Sequence, residues 1–172
     1  MSTLIQIETA RLTLQLLTLE QVELYLLGNN LLEKKMHLPN ANRVVDAHFK
    51  EVAETIFIPN FKKDKESSLF YSFFILIEKA SNQIVGEIGC HGKPTENGDI
   101  EIGYSTQPTH QNKRFMTEAV SAFCSYFIAL NQVKTIIAET DIINIPSQKI
   151  LINNHFIKTK EIENSIFWKW NA

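Results

Sequence analysis

The chain of 172 residues carries 17 Lys and Arg against 19 Asp and Glu, a formal net charge of −2. That balance supplies no field to hold nucleic acid or an acidic membrane surface, so neither is expected as a partner. With 44% hydrophobic and 21% charged residues it reads as one ordinary globular domain over residues 1–172, long enough to bury about 70% of its unfolded surface.

The opening Met1-Ser2-Thr3-Leu4-Ile5 lacks the basic region and apolar core of a signal peptide, and cytoplasm is the expected location. Arg11 to Leu17 alternates apolar and polar residues, a half-buried strand. Thr18-Leu19-Glu20-Gln21 has the spacing of a capping box and opens a helix to about Gly28, with Leu19, Val22 and Leu26 on one face. A second helix is predicted from Asp46, carrying Phe49, Val52, Ala53 and Ile56 and ending at Pro59. Residues 60–68, centred on a Lys-Lys-Asp-Lys-Glu run, read as a solvated connection.

From Leu69 the pattern changes to strands. Leu69–Glu78 is a β-branched and aromatic run expected to be buried on both faces, and it is far too short to span a bilayer. A turn at Ser81-Asn82 leads to Gln83–His91, and a loop with Pro94 and Gly98 leads to Asp99–Thr106, making an antiparallel meander. Cys90 and His91 are neighbours on a strand, so their side chains point to opposite faces and cannot chelate together. Cys90 and Cys124 are too few for a disulfide framework and are expected to be free, buried thiols, and no spacing suits a metal. Met116, Val120, Phe123, Phe127 and Leu130 recur at helical spacing on a core-facing helix. Lys134–Thr140 is the next strand, so the crossover places 99–106 and 134–140 parallel. Their ends are expected to diverge, with the helix crossing between them. A short helix over Ile145–Asn154 and two strands, Phe156–Ile162 and Ser165–Trp170, complete an α/β chain.

The stretch Asp99–Ala119 joins a strand, a polar and basic loop and a helix start, which aims backbone N–H groups and a positive helix end into one space suited to a phosphate or pyrophosphate. Glu101-Ile102-Gly103-Tyr104, Pro108, Gln111 and Thr117-Glu118-Ala119 resemble the acyl-CoA loop of the Gcn5-related N-acetyltransferases (GNAT), in the branch holding the ribosomal-protein N-terminal acetyltransferases. Glu8-Thr9-Ala10-Arg11-Leu12-Thr13-Leu14 resembles that branch's opening, and Asn144-Ile145-Pro146-Ser147 with Leu151 and Phe156 its later segment. Arg114 stands where the pattern has Gly, Met116 where it has Gly or Ala, His155 where it has Gly, and Leu151 where many relatives have a Tyr general acid.

The resemblance implies a GNAT fold, a mixed, mostly antiparallel sheet with helices on both faces. It implies transfer of acetyl from acetyl-CoA to a primary amine, either a protein N-terminus or a small amine, by direct attack on the thioester. Gln111, Asn112, Lys113, Arg114, Phe115 and Met116 would wrap the pyrophosphate with their amides. Tyr104, Ser105 and Thr106 would offer backbone groups to pantetheine, with Asn144 near the same arm. Glu101 is the implied base and Ser147 the implied acid, against structural readings of each: a strand carboxylate and a helix-start residue. Glu118 suits the first turn of a helix, and His110 suits packing. Relatives often dimerise, and a last strand bearing Trp168 and Trp170 at a sheet edge would offer the pairing surface. The four departures support a second, alternative reading, a non-catalytic module of the same fold.

Overall fold

The computed structural model of the chain describes residues 4–170. Its strands are β1 (Gln6–Glu8), β2 (Leu12–Leu16), β3 (Phe73–Glu78), β4 (Ile84–Cys90), β5 (Asp99–Thr106), β6 (Thr135–Asp141), β7 (Ile157–Ile162) and β8 (Ser165–Trp170). They form one sheet in the order β1-β2-β3-β4-β5-β6-β8-β7. Every neighbouring pair is antiparallel except β5 and β6, which the helical crossover makes parallel.

Helices cover both faces. On one, α5 (Phe115–Ile128) and α6 (Ile145–Asn153) bury Phe123, Phe127 and Leu151 against Phe74, Leu76, Ile102 and Ile136. On the other, α1 (Leu19–Leu27) and α2 (Leu31–Met36) join a longer helical segment to cover Phe73, Ile75 and Ile77. Alternate residues of β3 thus enter two different cores, as its unbroken apolar run implies. The predicted capping box is present: the Thr18 hydroxyl accepts from the Gln21 N–H, and the Gln21 side chain accepts from the Thr18 N–H.

Three expectations are corrected. Pro59 does not end its helix. α3 (Ala47–Val52) passes through a π turn (Ala53–Phe57) into α4 (Ile58–Lys63), so the segment runs into the predicted solvated connection. Proline removes one N–H and crowds the carbonyl four residues back. Here the Ile58 N–H reaches back five residues to the Ala53 carbonyl, and the Asn60 side-chain amide donates to the Ile56 carbonyl at 2.8 Å. The wider turn absorbs the proline and the helix continues. Residues 65–70 form a 3-10 turn rather than the start of β3, because Asp64 caps the Ser67 N–H and the Ser72 hydroxyl donates to the Leu17 carbonyl. The tryptophan strand is not an edge: β8 lies between β6 and β7, with Trp168 buried and its indole N–H donating to the Thr140 hydroxyl at 2.9 Å. The edge on that side is β7, whose six residues are all exposed.

Candidate active site

β5 and β6 pair only from Asp99–Ile102 to Thr135–Ala138. Beyond that point β5 stays with β4, through Gly103–Thr106 against Gly86–Gly89, while β6 stays with β8. The sheet therefore opens into a notch at the C-terminal ends of its one parallel pair. Hydrogen bonds from the His91 N–H to the Glu101 carbonyl and from the Gln107 N–H to the Val85 carbonyl fix the phase of the β4–β5 ladder. Odd-numbered residues of β5 are spent on β4, so the peptide groups of Tyr104 and Thr106 turn toward the notch.

The loop below the notch joins β5 to the start of α5. Pro108–His110 is a 3-10 turn, Asn112 has φ 62°, and Arg114 has φ 61° immediately before α5. Among the described residues no side chain caps the start of α5, which leaves its first N–H groups directed at the loop. The Met116 side chain is buried, with its Cε set against Gly86. Arg11 pins the loop from β2's entry. Its Nε is 2.7 Å from a Glu118 carboxylate oxygen, its Nη1 donates to the Lys113 carbonyl at 3.0 Å, and its guanidinium covers the Phe115 ring. Thr9 and the Arg11 N–H occupy the other Glu118 oxygen, so Glu118 is a tie between β2 and α5. His110 is buried and shares a hydrogen bond with Thr109. Burial and the nearby Lys113 charge hold its imidazole below the usual range.

Arg114 thus occupies a left-handed position, which costs a residue with a Cβ about 1–2 kcal/mol. His155, the other residue standing where the family pattern has Gly, is left-handed as well, at φ 63°. Arg114 is exposed and forms no ion pair among the described residues. Arg114→Gly is therefore expected to stabilise the chain by about 1 kcal/mol after glycine's own entropy cost, raising Tm by about 2–4 °C. Thermal unfolding checks this, and a lower Tm would show that the Arg114 side chain has contacts worth more than the strain.

On the far wall of the notch, Asn144 caps α6 by accepting from the Ser147 N–H at 3.2 Å. Ser147 Oγ lies 2.9 Å from the Tyr104 hydroxyl, which bridges β5 to α6 across the open end. Burial raises the Tyr104 phenol above its usual range, so it remains a neutral partner. Leu151 is fully buried, and the hydroxyl pair Tyr104–Ser147 is what α6 and β5 present to the notch instead.

The notch opens into a cavity of about 580 Å³. Phe49, Val52 and Phe57 wall it on the α3 side, with His48 beside them. Glu101, Tyr104, Ser105 and Ser147 line it with Asp46, Glu139, Asp141 and Asn144. Among the described residues neither Lys nor Arg lines it. Asp46 accepts from the Phe49 N–H, Asp141 from the Ile143 N–H, and Glu139 from the Ser165 hydroxyl, so these three carboxylates have neutral partners. Glu101 pairs with a residue whose part sequence reading missed: His91, with Nδ1 3.1 Å from Glu101 Oε1. Nothing within the strand marks that pair. It follows from the register that sets residue 91 opposite residue 101.

Among the described residues the chain is a mixed sheet split at its one parallel pair, with the start of α5 below the split and a carboxylate-lined cavity above it. The family model described as "Acetyltransferase (GNAT) domain" matches residues 11–157, and the chain belongs to that family. The uncharacterized N-acetyltransferase YjdG of Bacillus subtilis (strain 168) is 33% identical over 100 residues, which cover 56% of this chain and 60% of that protein. The uncharacterized N-acetyltransferase p20 of Bacillus licheniformis is 36% identical over 86 residues, covering 49% and 48%. The chain thus spans about half to three-fifths of the length of these curated relatives. Among solved structures, the ribosomal-protein-S5-alanine acetyltransferase of Vibrio fischeri superposes with a TM-score of 0.70 at 17% identity, over 97% of this chain and 96% of that one. The ribosomal L7/L12 α-N-protein acetyltransferase RimL, solved in complex with coenzyme A, gives 0.65 at 14% identity, over 97% and 98%. At such identities they share the fold. Among the described residues no group of His, Cys, Asp and Glu is placed to hold a metal ion, and no helix is long and apolar enough to cross a membrane.

Proposed function

We propose that the chain transfers acetyl from acetyl-CoA to a primary amine bound in the carboxylate-lined cavity. The observation that carries this reading is the split between β5 and β6. Peptide groups of Tyr104 and Thr106 turned into the notch suit the amide-bearing pantetheine arm, with Ser105 beside them and Asn144 on the facing wall. The loop Gln111-Asn112-Lys113-Arg114 and the N–H groups of Phe115 and Met116 suit the pyrophosphate, since a helix start carries partial positive charge. Lys113 and Arg114 add two cations, each able to contribute about 1.5–3 kcal/mol by a charge-assisted bond, which offsets the strain at Arg114.

Acetyl-CoA supplies the activated acyl group as co-substrate. The ammonium form of the acceptor loses a proton to the Glu101–His91 pair, and its nitrogen lone pair forms the C–N bond as the C–S bond breaks. The electron pair leaves on sulfur, which takes a proton from the Ser147 side of the cavity. Of the two protons the nitrogen sheds, one is balanced by the thiol and one leaves to solvent. Carboxylates without Lys or Arg partners favour a cationic acceptor, and the apolar wall of Phe49, Val52 and Phe57 favours an aliphatic chain beside the charge. This points to a small polycationic amine ahead of a protein N-terminus.

Thermal unfolding with acetyl-CoA, with CoA and without ligand tests the cofactor part. Acetyl-CoA at a hundredfold its Kd is expected to add about 2.7 kcal/mol. Arg114→Gly refines it: unchanged or weaker binding means the side chain compensates for the backbone. A gain of about tenfold, some 1.4 kcal/mol, means that Arg114 obstructs the site. No stabilisation by either nucleotide would move the reading to the non-catalytic module.

A further inference from the structure

Resting on the acetyl-transfer reading, we infer that His91, held by Glu101, is the group that takes the proton from the acceptor amine. His91 follows the end of β4 and sits directly opposite Glu101 across the ladder, so both side chains project from the same face of the sheet into the cavity. The imidazole Nδ1 meets the Glu101 carboxylate, and the ring lies over Gly103, where a Cβ would collide with Nε2. Gly103 is thus the vacancy that lets the ring lean from its own backbone toward the notch. Gly103 is also the first residue of β5 beyond its pairing with β6. The imidazole therefore lies where the acceptor cavity meets the notch.

This arrangement divides the work between two residues. A carboxylate accepts only, so a hydrogen bond from Nδ1–H to Glu101 leaves the neutral ring with its lone pair on Nε2. An ammonium proton transfers to Nε2, the amine nitrogen regains its lone pair, and Glu101 stabilises the imidazolium that results. The charge then returns to solvent through an imidazole that is 41% exposed. His91 is the catalytic residue in this account and Glu101 the positioning residue, as in other carboxylate–imidazole pairs. The other charged groups facing this space are Asp46 and His48 at the entry to α3 and Glu139 and Asp141 on β6.

The test compares the unaltered protein, His91→Gln, Glu101→Gln and Glu101→Leu. Spermidine and a peptide beginning Ala-Arg serve as acceptors, with acetyl-CoA stabilisation measured for each variant. His91→Gln is expected to lose 10²-fold or more in kcat and to lose the acidic limb of the pH–rate profile, while acetyl-CoA stabilisation is retained. Glu101→Gln should keep a limb, displaced, with a smaller loss. A limb that vanishes with Glu101→Gln and survives in His91→Gln would overturn the assignment and make Glu101 the base. His91→Gln turnover within threefold of the unaltered protein would overturn it as well, while leaving acetyl transfer intact. If acetyl-CoA binds and neither probe is acetylated, ¹⁵N-histidine spectra decide. A His91 tautomer protonated on Nδ1 and released in Glu101→Leu supports the pair, and one protonated on Nε2 overturns it. Absence of acetyl-CoA binding in the unaltered protein would remove the transfer reading itself, and the assignment with it.

Discussion

Arg43→Ala is expected to destabilise the chain by about 3–5 kcal/mol, the cost of leaving one charge of a buried pair without its partner. The Arg43 and Glu33 side chains are each 1% exposed, with Arg43 Nε 3.1 Å from a Glu33 carboxylate oxygen. Arg43 Nη1 donates to the Tyr25 carbonyl at 3.1 Å, and the guanidinium lies 3.7 Å from the centroid of the Tyr25 ring. The opposite end of that ring donates its hydroxyl to Glu87 at 2.7 Å. One side chain therefore neutralises Glu33, holds the end of α1 and covers an aromatic that reaches the centre of the sheet. The next residue, Val44, is held in turn by the Gln107 amide, which accepts from the Val44 N–H at 2.9 Å and donates to its carbonyl at 3.1 Å. This ties the α3 wall of the cavity to the end of β5. Lysine at position 43 has no planar fork to serve both partners, so Arg43→Lys should recover only part of the loss. Urea denaturation of the three proteins reads the difference, and a loss below 1 kcal/mol for Arg43→Ala would mean that Glu33 finds another partner or water.

Those residues were invisible in the sequence, and the reason is physical. Elements with a local signature were legible: the capping box at Thr18, the limits of β5 and β8, and the helical spacing of Met116, Val120 and Phe123; β2 was legible as a strand, but it is buried almost throughout, Gln15 included, rather than half-buried. The parallel pairing of β5 and β6 followed from the crossover rule, and the divergence of their ends from the family resemblance. β1 has three residues, too few for a period, and α2 starts from a left-handed Asn30 whose side chain makes no cap, so neither announces itself. The π turn was hidden because Pro59 normally stops a helix, and the relief comes from a register change that no single residue encodes. In the site, the loop of residues 111–116 was legible as a segment, whereas His91–Glu101, Arg43–Glu33 and Tyr25–Glu87 each join distant parts of the chain. His91 had one available signal. Counting the meander through Pro94 and Gly98 to pair 91 with 101 sets a histidine opposite the candidate base, two residues before a glycine that makes room for it.

Glu87→Gln is expected to stabilise the chain at pH 8 by about 3 kcal/mol and to do almost nothing at pH 4.5. Glu87 is buried on β4 directly opposite Ser105, and burial pushes its carboxyl up from 4.5 to about 7. The Tyr25 hydroxyl, the Arg43 charge, Ser105 and Gln107 favour the ionised form and hold the rise in check. A folded-state value above the unfolded one means that the folded chain keeps a proton which the unfolded chain gives up between pH 4.5 and about 7. Stability from this group is therefore fully present below pH 4.5, falls as pH rises through that window, and is lost above about 7. A shift from 4.5 to about 7 corresponds to about 3 kcal/mol at 1.36 kcal/mol per unit. Glutamine accepts the same bond from Tyr25 and never ionises, so the variant lacks the decline while every other titrating group is shared. The difference between two urea-denaturation series, run from pH 4.5 to pH 8, isolates the one side chain. It should open across that window and stay level above it. Parallel curves would show that Glu87 is ionised throughout, with Arg43 and Tyr25 offsetting the whole cost of its burial.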